Sequence, residues 1–288
     1  MRVAVTMDRR GKTIIGGLTV AFVVLTSVIR VGRSTLERRI NCEIRDVLGS
    51  GHGGTGDPVS EDHLVELPQP VQRWLRWSGA VGKPISSTVR LRQEGELRVG
   101  DLGWLPFTAE EYYSTSPPAF VWKATIRMAP GITVIGKDSY LNGRGALEMR
   151  VLGLVPVAQD TGPGMDQGDL LRYLNEIMWF PSGALIPQIT WEPVDDESAR
   201  ATMTYGGVTG TATFFFDIDG RPTNMTADRH DRERGTVVPW STPIHDYGQF
   251  DGVKVPTAGE ALYAHENGDI PYIRARVTNV DHNASHQY

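Results

Sequence analysis

Alternating hydrophobic and polar positions dominate the chain beyond residue 80 and predict β-strands. In residues 119–128, Phe120 and Trp122 share one face of such a strand, while Lys123 and Thr125 lie on the other. This pattern is typical of a half-buried strand. About ten or eleven such segments follow one another, separated by turns rich in Gly, Pro and Asn. They predict a mainly β, α+β protein with a strongly curved antiparallel meander, because a flat sheet of that size would leave an apolar face in water.

A helical pattern interrupts the strands at residues 166–180, DQGDLLRYLNEIMWF. Its apolar positions recur at helical spacing and form one stripe, made of Leu170, Leu171, Leu174, Ile177 and Met178. Asp166 can cap the N-terminus, and Pro181 ends the segment. We therefore expect one long helix packed across the concave side of the sheet.

A second apolar segment lies at the N-terminus. Residues 13–29 carry no charge and follow a basic start that contains four Lys or Arg residues in residues 1–12. Seventeen helical residues span about 26 Å, close to the thickness of a thin bilayer. This layout predicts an uncleaved single-pass membrane anchor, with a cleaved export signal as the alternative. Lys and Arg number four in residues 1–12 and four in residues 30–41, so the positive-inside rule is close to balanced. The basic start resembles that of a secreted protein, which favours a cell-membrane location with the main domain outside the cytoplasm.

Composition shifts predict four parts of the chain. Residues 1–49 form the membrane anchor and a juxtamembrane helix, and the glycine-rich residues 50–66 form a linker. Residues 67–282 form the β domain with its inserted helix, and residues 283–288 form a polar tail.

The bulk chemistry excludes several function classes for the 288-residue chain. Its net charge of −5 comes from interspersed acids and bases, which argues against nucleic acid as a partner. The single cysteine, Cys42, excludes an intramolecular disulfide and multi-thiolate metal sites. The sequence contains no nucleophile elbow, zinc-protease helix, P-loop or Rossmann glycine pattern. We predict no cofactor and no metal, and favour a protein that is not an enzyme.

Polar residues on otherwise apolar faces are the candidates for a site. Asp138 falls in the register of Val134 and Tyr140, and Arg229 in that of Met225. The full candidate set for ligand binding is Asp138, Tyr140, Arg172, Glu176, Trp179 and Arg229. Because an unpaired buried charge costs several kcal/mol, we expect Arg172 or Glu176 to reach Asp138 or Arg229 across the sheet. Two interpretations of these residues are open: a structural ion pair, or a polar group in a ligand cavity.

Several motifs together resemble a bacterial domain family of unknown function. They are LPQPVQRWLRW…GKP, RLRQEGELR, a D-x-Y-x-x-G-x-G segment starting at Asp138, RYLNEIMWFP and TADRH. The similarity runs from about Leu67 to the C-terminal region and implies a domain type without implying a reaction. The plan of a strand meander with one helix also resembles the open half-barrels of lipoprotein carrier proteins, which implies a lipid as a possible ligand.

Three functions fit these predictions. The first is a membrane-anchored domain that binds a lipid or other amphiphile in a cavity between sheet and helix. The second is a structural or partner-binding envelope protein with a filled core, which requires no cavity beside the helix. The third is an envelope hydrolase in which Asp138, Glu176 and Arg229 act as acid, base and anion clamp.

Overall fold

In the computed structural model, the described residues form fourteen antiparallel strands of one curled half-barrel sheet. The structure describes residues 9–51, 56–232, 234–265 and 268–288, without the side chains of residues 9–22. The strands are β1 Thr88–Arg98, β2 Trp104–Thr115, β3 Pro118–Ala129, β4 Ile132–Leu141, β5 Arg144–Val151, β6 Val155–Thr161, β7 Ile189–Pro193, β8 Ser198–Tyr205, β9 Val208–Phe216, β10 Pro222–Asp231, β11 Thr236–Ser241, β12 Ile244–Phe250, β13 Val253–Tyr263 and β14 Ile270–His282.

The strand order is β6-β5-β4-β3-β2-β1-β14-β13-β11-β10-β9-β8-β7, with β12 paired to β13. Two meanders are therefore joined where β1 pairs with β14. The mainly β fold and the curled antiparallel sheet confirm the prediction. The described strands outnumber the ten or eleven predicted, because strands such as β6 and β11 are largely exposed and lack a buried face that would produce a clear alternation.

Among the described residues, three α-helices accompany the sheet: α1 Arg9–Ser50, α2 Gln69–Trp77 and α3 Pro163–Glu176. Helix α3 lies across the concave face as predicted, and short 3-10 turns follow it at Ile177–Trp179 and Pro181–Leu185. Its leucines at positions 170, 171 and 174 are fully buried.

The start of α3 differs from the prediction. The helix begins at Pro163, after Gly162 with a φ of 104°, so Asp166 lies inside the first turn and is not the N-cap. Proline suits the first helical position because it lacks the N–H that would be unsatisfied there. The Asp166 carboxylate instead accepts hydrogen bonds from the backbone N–H of Gly145 at 2.9 Å and from Arg144 at 2.7 Å.

The C-terminal half of α1 packs on the convex face of the sheet. Its apolar residues Leu36, Ile40 and Ile44 recur every four positions and are buried against Val121 and other outward side chains of β2, β3 and β4. The Nζ of Lys137 also lies 2.8 Å from a Glu43 carboxylate oxygen across this contact. Strand β3 is therefore covered on both faces.

The N-terminal half of α1 leaves the domain and presents apolar side chains to solvent. The exposed residues are Val23, Val24, Leu25, Val28 and Val31, each between 51% and 63% exposed. They overlap the predicted anchor at 13–29, of which the side chains of 13–22 lie outside the described residues. Within the part of the chain that the structure describes, no helix has the length and apolar character needed to cross a membrane.

The segments predicted as linker and tail both contact the β domain. Residues 52–55 of the linker lie outside the described residues, but Val59 and Leu64 are buried in the main core. At the C-terminus, the Tyr288 ring packs on Tyr112 and lies 4.0 Å below the Arg92 guanidinium. Both segments extend the core beyond the predicted limits of the domain.

Candidate functional site

Arg172 of α3 points at the sheet and binds three carboxylates at once. Its Nη1 lies 2.6 Å from Asp138 Oδ2 on β4, and its Nη2 lies 2.6 Å from Glu111 Oε1 on β2. Its Nε lies 2.8 Å from Glu176 Oε1, one turn further along α3. The Arg172 side chain is only 17% exposed, and its three partners are still more buried. We call these four residues the Arg172 cluster.

Neutral side chains hold the two glutamates of the Arg172 cluster in place. The Tyr113 hydroxyl donates to Glu176 Oε2 at 3.0 Å, and Gln93 Nε2 donates to Glu111 Oε2 at 3.2 Å. The indole N–H of Trp122 in turn donates to Gln93 Oε1 at 2.9 Å. Each glutamate therefore has both oxygens occupied by protein partners.

Burial determines the protonation behaviour of the Arg172 cluster. Loss of water raises the pKa of Glu111 well above its usual value, despite the opposing effect of Arg172. The pKa of Glu176 is raised for the same reason. Burial alone would lower the pKa of Arg172, but the surrounding carboxylates raise it well above its usual value. Three carboxylates share one cation, so proton uptake by a glutamate relieves excess negative charge.

Arg229 forms a second ion pair further along the same helix. Its Nη2 lies 3.7 Å from Asp169 Oδ1, and its Nε donates to the Gly168 carbonyl at 3.0 Å. Its Nη1 donates to the hydroxyls of Tyr263 and Tyr272, each at 3.2 Å. Asp169 is fully buried, and burial raises its pKa well above the usual value. Burial also raises the pKa of Tyr272 to about 12.

The structure brings together three of the six predicted site residues: Asp138, Arg172 and Glu176. Arg229 pairs with Asp169 instead of with any of these three. The Trp179 indole donates to the Pro256 carbonyl at 3.1 Å and so points toward β13.

Tyr140 lies in the core beside the Arg172 cluster. Its ring stacks on Phe120 with the centroids 6.4 Å apart, and its buried hydroxyl has no hydrogen-bond partner among the described residues. The same holds for Oδ1 of Asp138 and for both carboxylate oxygens of Asp169.

Sequence reasoning missed Glu111, Gln93 and Asp169. The register of β2 contains a signal for the first, because Glu111 shares its face with the buried side chains of Phe107 and Tyr113. Asp169 lies in the second turn of α3, where it meets Arg229.

Aromatic side chains fill the space between α3 and the sheet. Tyr113, Phe120, Tyr140, Tyr173 and Phe180 are all fully buried there. The rings of Tyr113 and Phe180 have centroids 5.0 Å apart, a distance typical of direct ring contact. The Arg172 cluster therefore lies in a packed core.

The described residues contain no group of three or more His, Cys, Asp or Glu side chains arranged to hold a metal ion. In the Arg172 cluster the three acids surround a guanidinium, which occupies the position that a cation would need. The arrangement can bind and release a proton, and it ties α3 to β2 and β4.

A family model matches residues 57–275, which is most of the chain. This model describes DUF6544, a family of unknown function. The chain belongs to this family. The matched range begins before the predicted start of the β domain at residue 67, consistent with the buried Val59 and Leu64. No curated protein matches the chain.

Solved structures with a similar fold share little sequence with this DUF6544 protein. A LolA superfamily protein from Nitrosomonas europaea is 10% identical, with 73% of this chain and 92% of that chain covered and a TM-score of 0.38. A β-barrel-like DUF1849 protein from Brucella abortus is 9% identical, with 69% and 98% covered and a TM-score of 0.29. A porin-like protein from Bacteroides uniformis is 11% identical, with 67% and 96% covered and a TM-score of 0.27.

Proposed function

We propose that this chain is a membrane-anchored, filled-core β domain of the cell envelope that acts as a rigid partner-binding module and not as an enzyme. The observation that carries the proposal is the change of environment along α1. Its C-terminal half is buried on the convex face of the sheet, while the residues from Val23 to Val31 expose a run of apolar side chains.

The exposed run is apolar on more than one side of the helix. Successive residues of a helix are rotated by about 100°, so Val23, Val24 and Leu25 point in three different directions. A helix that is hydrophobic all round requires a protein core or a bilayer. The uncharged sequence from residue 13 onward continues this character, which supports an anchor at 13–29.

The hairpin turns near α1 support one orientation of the β domain relative to the bilayer. The turns β1–β2, β3–β4 and β5–β6 lie at one end of the sheet, because consecutive strands are antiparallel. They expose Leu102, Ile132 and Val155 at 42–59%. At this end Gly153 touches the α1 backbone so closely that an added Cβ would lie 2.7 Å from Arg33 Cα. Gly153 therefore marks the end of the sheet at which α1 leaves the domain, and we propose that this end faces the bilayer.

We propose the side of the membrane from the layout of the N-terminus, which resembles a secretory start. Four basic residues precede the apolar segment within residues 1–12. Such a start favours a cytoplasmic N-terminus, which places the β domain outside the cytoplasm in this proposal.

The packed concave face favours a filled core over the two other functions. An amphiphile site between sheet and helix requires open space where Tyr113, Tyr140 and Phe180 are fully buried. A hydrolase requires substrate access to Glu176, both of whose carboxylate oxygens are bound by Arg172 and Tyr113. The geometry supports a structural role for these charges.

Vesicle flotation of the purified full chain tests the anchor. We expect the chain, reconstituted by detergent removal, to float with phosphatidylcholine vesicles after a carbonate wash. Lysines at positions 23 and 24 each cost up to about 3 kcal/mol in a bilayer, so V23K/V24K should remain at the bottom. The control T35K adds charge to an exposed position of the same helix beyond the apolar run.

Thermal unfolding of V23K/V24K in mild detergent should match that of the unsubstituted chain, because both valines lie outside the packed core. Flotation of V23K/V24K together with T35K, or failure of the unsubstituted chain to float, would refute the anchor.

A further inference from the structure

A cleft of about 250 Å³ opens at the end of the sheet opposite the apolar hairpin turns. Four parts of the chain form it: the segment before β1, the end of β14, the β12–β13 turn and the 3-10 turn Pro181–Leu185. Its polar lining residues are Lys83, Ser86, Ser182, Asp251, His282 and Asn283. A volume of this size fits a small molecule or a single polar group.

His282 contributes an imidazole nitrogen without a partner. Its Nδ1 lies 3.1 Å from the Ser86 hydroxyl, while its Nε2 is buried and has no hydrogen-bond partner among the described residues. Burial lowers the pKa of His282 and outweighs the opposing effect of the Asp251 and Asp281 carboxylates, so the ring is neutral near pH 7. When the Ser86 hydroxyl donates to Nδ1, the neutral ring carries its proton on Nε2 and becomes a donor.

Lys83 contributes a positive charge without an acidic partner. Its Nζ donates to the Asp251 backbone carbonyl at 2.9 Å, which leaves further ammonium protons available. Within the part of the chain that the structure describes, no carboxylate oxygen lies within 4.0 Å of this Nζ. The Asp251 side chain is exposed and so can turn toward solvent.

Ser182 contributes a hydroxyl whose proton is available. Its Oγ accepts a hydrogen bond from the backbone N–H of Ser86 at 3.0 Å, and the side chain is almost fully buried at the cleft wall. A hydroxyl that accepts one bond can still donate its own proton. With Ser86 donating to His282 Nδ1, an ammonium group, an imidazole N–H and a hydroxyl are all donors at one small cleft.

We propose that this cleft binds the carboxylate or phosphate group of a small anionic molecule, with Lys83, His282 and Ser182 as donors. Charge-assisted hydrogen bonds to oxyanions are shorter and stronger than neutral ones, which suits a site of three donors. The proposal does not depend on the membrane anchor. If the anchor is correct, the cleft opens on the side of the domain that faces away from the bilayer.

Isothermal titration of the full chain in mild detergent tests the cleft, with inorganic phosphate and acetate as probes. We expect at least one of the two to bind, and the difference between them to identify the preferred oxyanion. Loss of Lys83 in K83M should weaken binding at least tenfold, and H282N should weaken it by several fold. The control K254M removes an exposed lysine whose ammonium lies 5.7 Å from the Trp77 ring, outside the cleft, and should bind as the unsubstituted chain does.

The competing outcomes are distinguishable. Binding that K83M and K254M weaken equally would reflect general attraction to surface charge, and would overturn the proposal. Absence of binding for both probes at millimolar concentration would overturn it as well. Because Lys83 is exposed, the K83M variant should unfold at the same temperature as the unsubstituted chain. This measurement separates loss of the site from loss of the fold.

Discussion

Replacing Arg172 by methionine should reveal how strongly the Arg172 cluster couples α3 to the sheet. Methionine has a similar length and fills much of the same space, but it removes the cation that Glu111, Asp138 and Glu176 share. The carboxylates would then be buried without compensation. We expect a large loss of stability with the fold otherwise intact.

The magnitude follows from the geometry. Two unit charges about 4 Å apart attract by about 4 kcal/mol at an effective dielectric constant of about 20. Desolvation of the ions offsets much of this attraction, but removing one partner leaves the other buried and charged, which costs about 3–5 kcal/mol. We therefore expect Arg172→Met to lower the free energy of unfolding by that amount near pH 8.

The loss should be smaller at pH 5. The pKa values of Glu111 and Glu176 are raised in the folded state, so these groups bind protons more tightly when folded than when unfolded. The stability that these two glutamates contribute is fully present at pH values below their pKa in the unfolded state. It is lost as the pH rises through their pKa in the folded state. Without Arg172 the folded pKa values rise further, and protonation at pH 5 restores part of the loss.

Urea unfolding of the full chain in mild detergent, followed by tryptophan fluorescence, measures these effects. Arg172→Met, Asp138→Asn and the double variant form a cycle, in which the double loss should fall short of the sum by about 1–3 kcal/mol. The matched control is Arg76→Met, whose exposed pair with Glu61 is screened by solvent and should contribute little to stability. Additive losses in the cycle would refute direct coupling across the sheet.

Four further substitutions, one of them a control, test other contacts. Gly145→Ala should lower the free energy of unfolding by about 1–3 kcal/mol, because the added Cβ would lie 2.5 Å from Asp169 Oδ2. In the control Gly136→Ala, the added Cβ has no atom nearer than 3.6 Å, so this variant should unfold at nearly the urea concentration of the unsubstituted chain. Glu111→Gln keeps the shape but removes one buried charge, so the decline of stability between pH 5 and 8 should become shallower; an unchanged slope would contradict its raised pKa. Ile44→Ala, fully buried against the convex face, should cost about 2–5 kcal/mol in the same urea assay, and a cost near zero would mean that α1 is not docked in solution.

The alternation of residues along β3 correctly predicted burial of one face, but it did not predict that the other face is covered as well. Phe120 and Trp122 point into the main core, as the sequence pattern indicates. Val121 shares the face of Lys123 and Thr125, which is the solvated face of a half-buried strand, but α1 covers it with Leu36 and Ile40. Local periodicity describes which residues share a face, while the element that covers that face depends on contacts distant in sequence.

The site shows the same limit. The inward direction of Asp138 and Arg229 could be derived from strand register, and so could the need for partners. The choice of partners could not, because it depends on where α3 crosses the sheet. The crossing sets Arg172 against Asp138 and places Arg229 beside Asp169, one helical turn away from Arg172.

The charged residues of α3 give a physical reason for this crossing position. Asp169, Arg172 and Glu176 are spaced by three and four residues, so they form one stripe along the helix. A purely apolar stripe could shift by one turn, about 5.4 Å, and still bury its leucines against an apolar sheet. The same shift would separate Arg172 from Asp138 and Glu111 and bury several unpaired charges, at a cost of several kcal/mol. The ion pairs therefore select one position of the helix among apolar alternatives, which is a role that requires no ligand at the concave face.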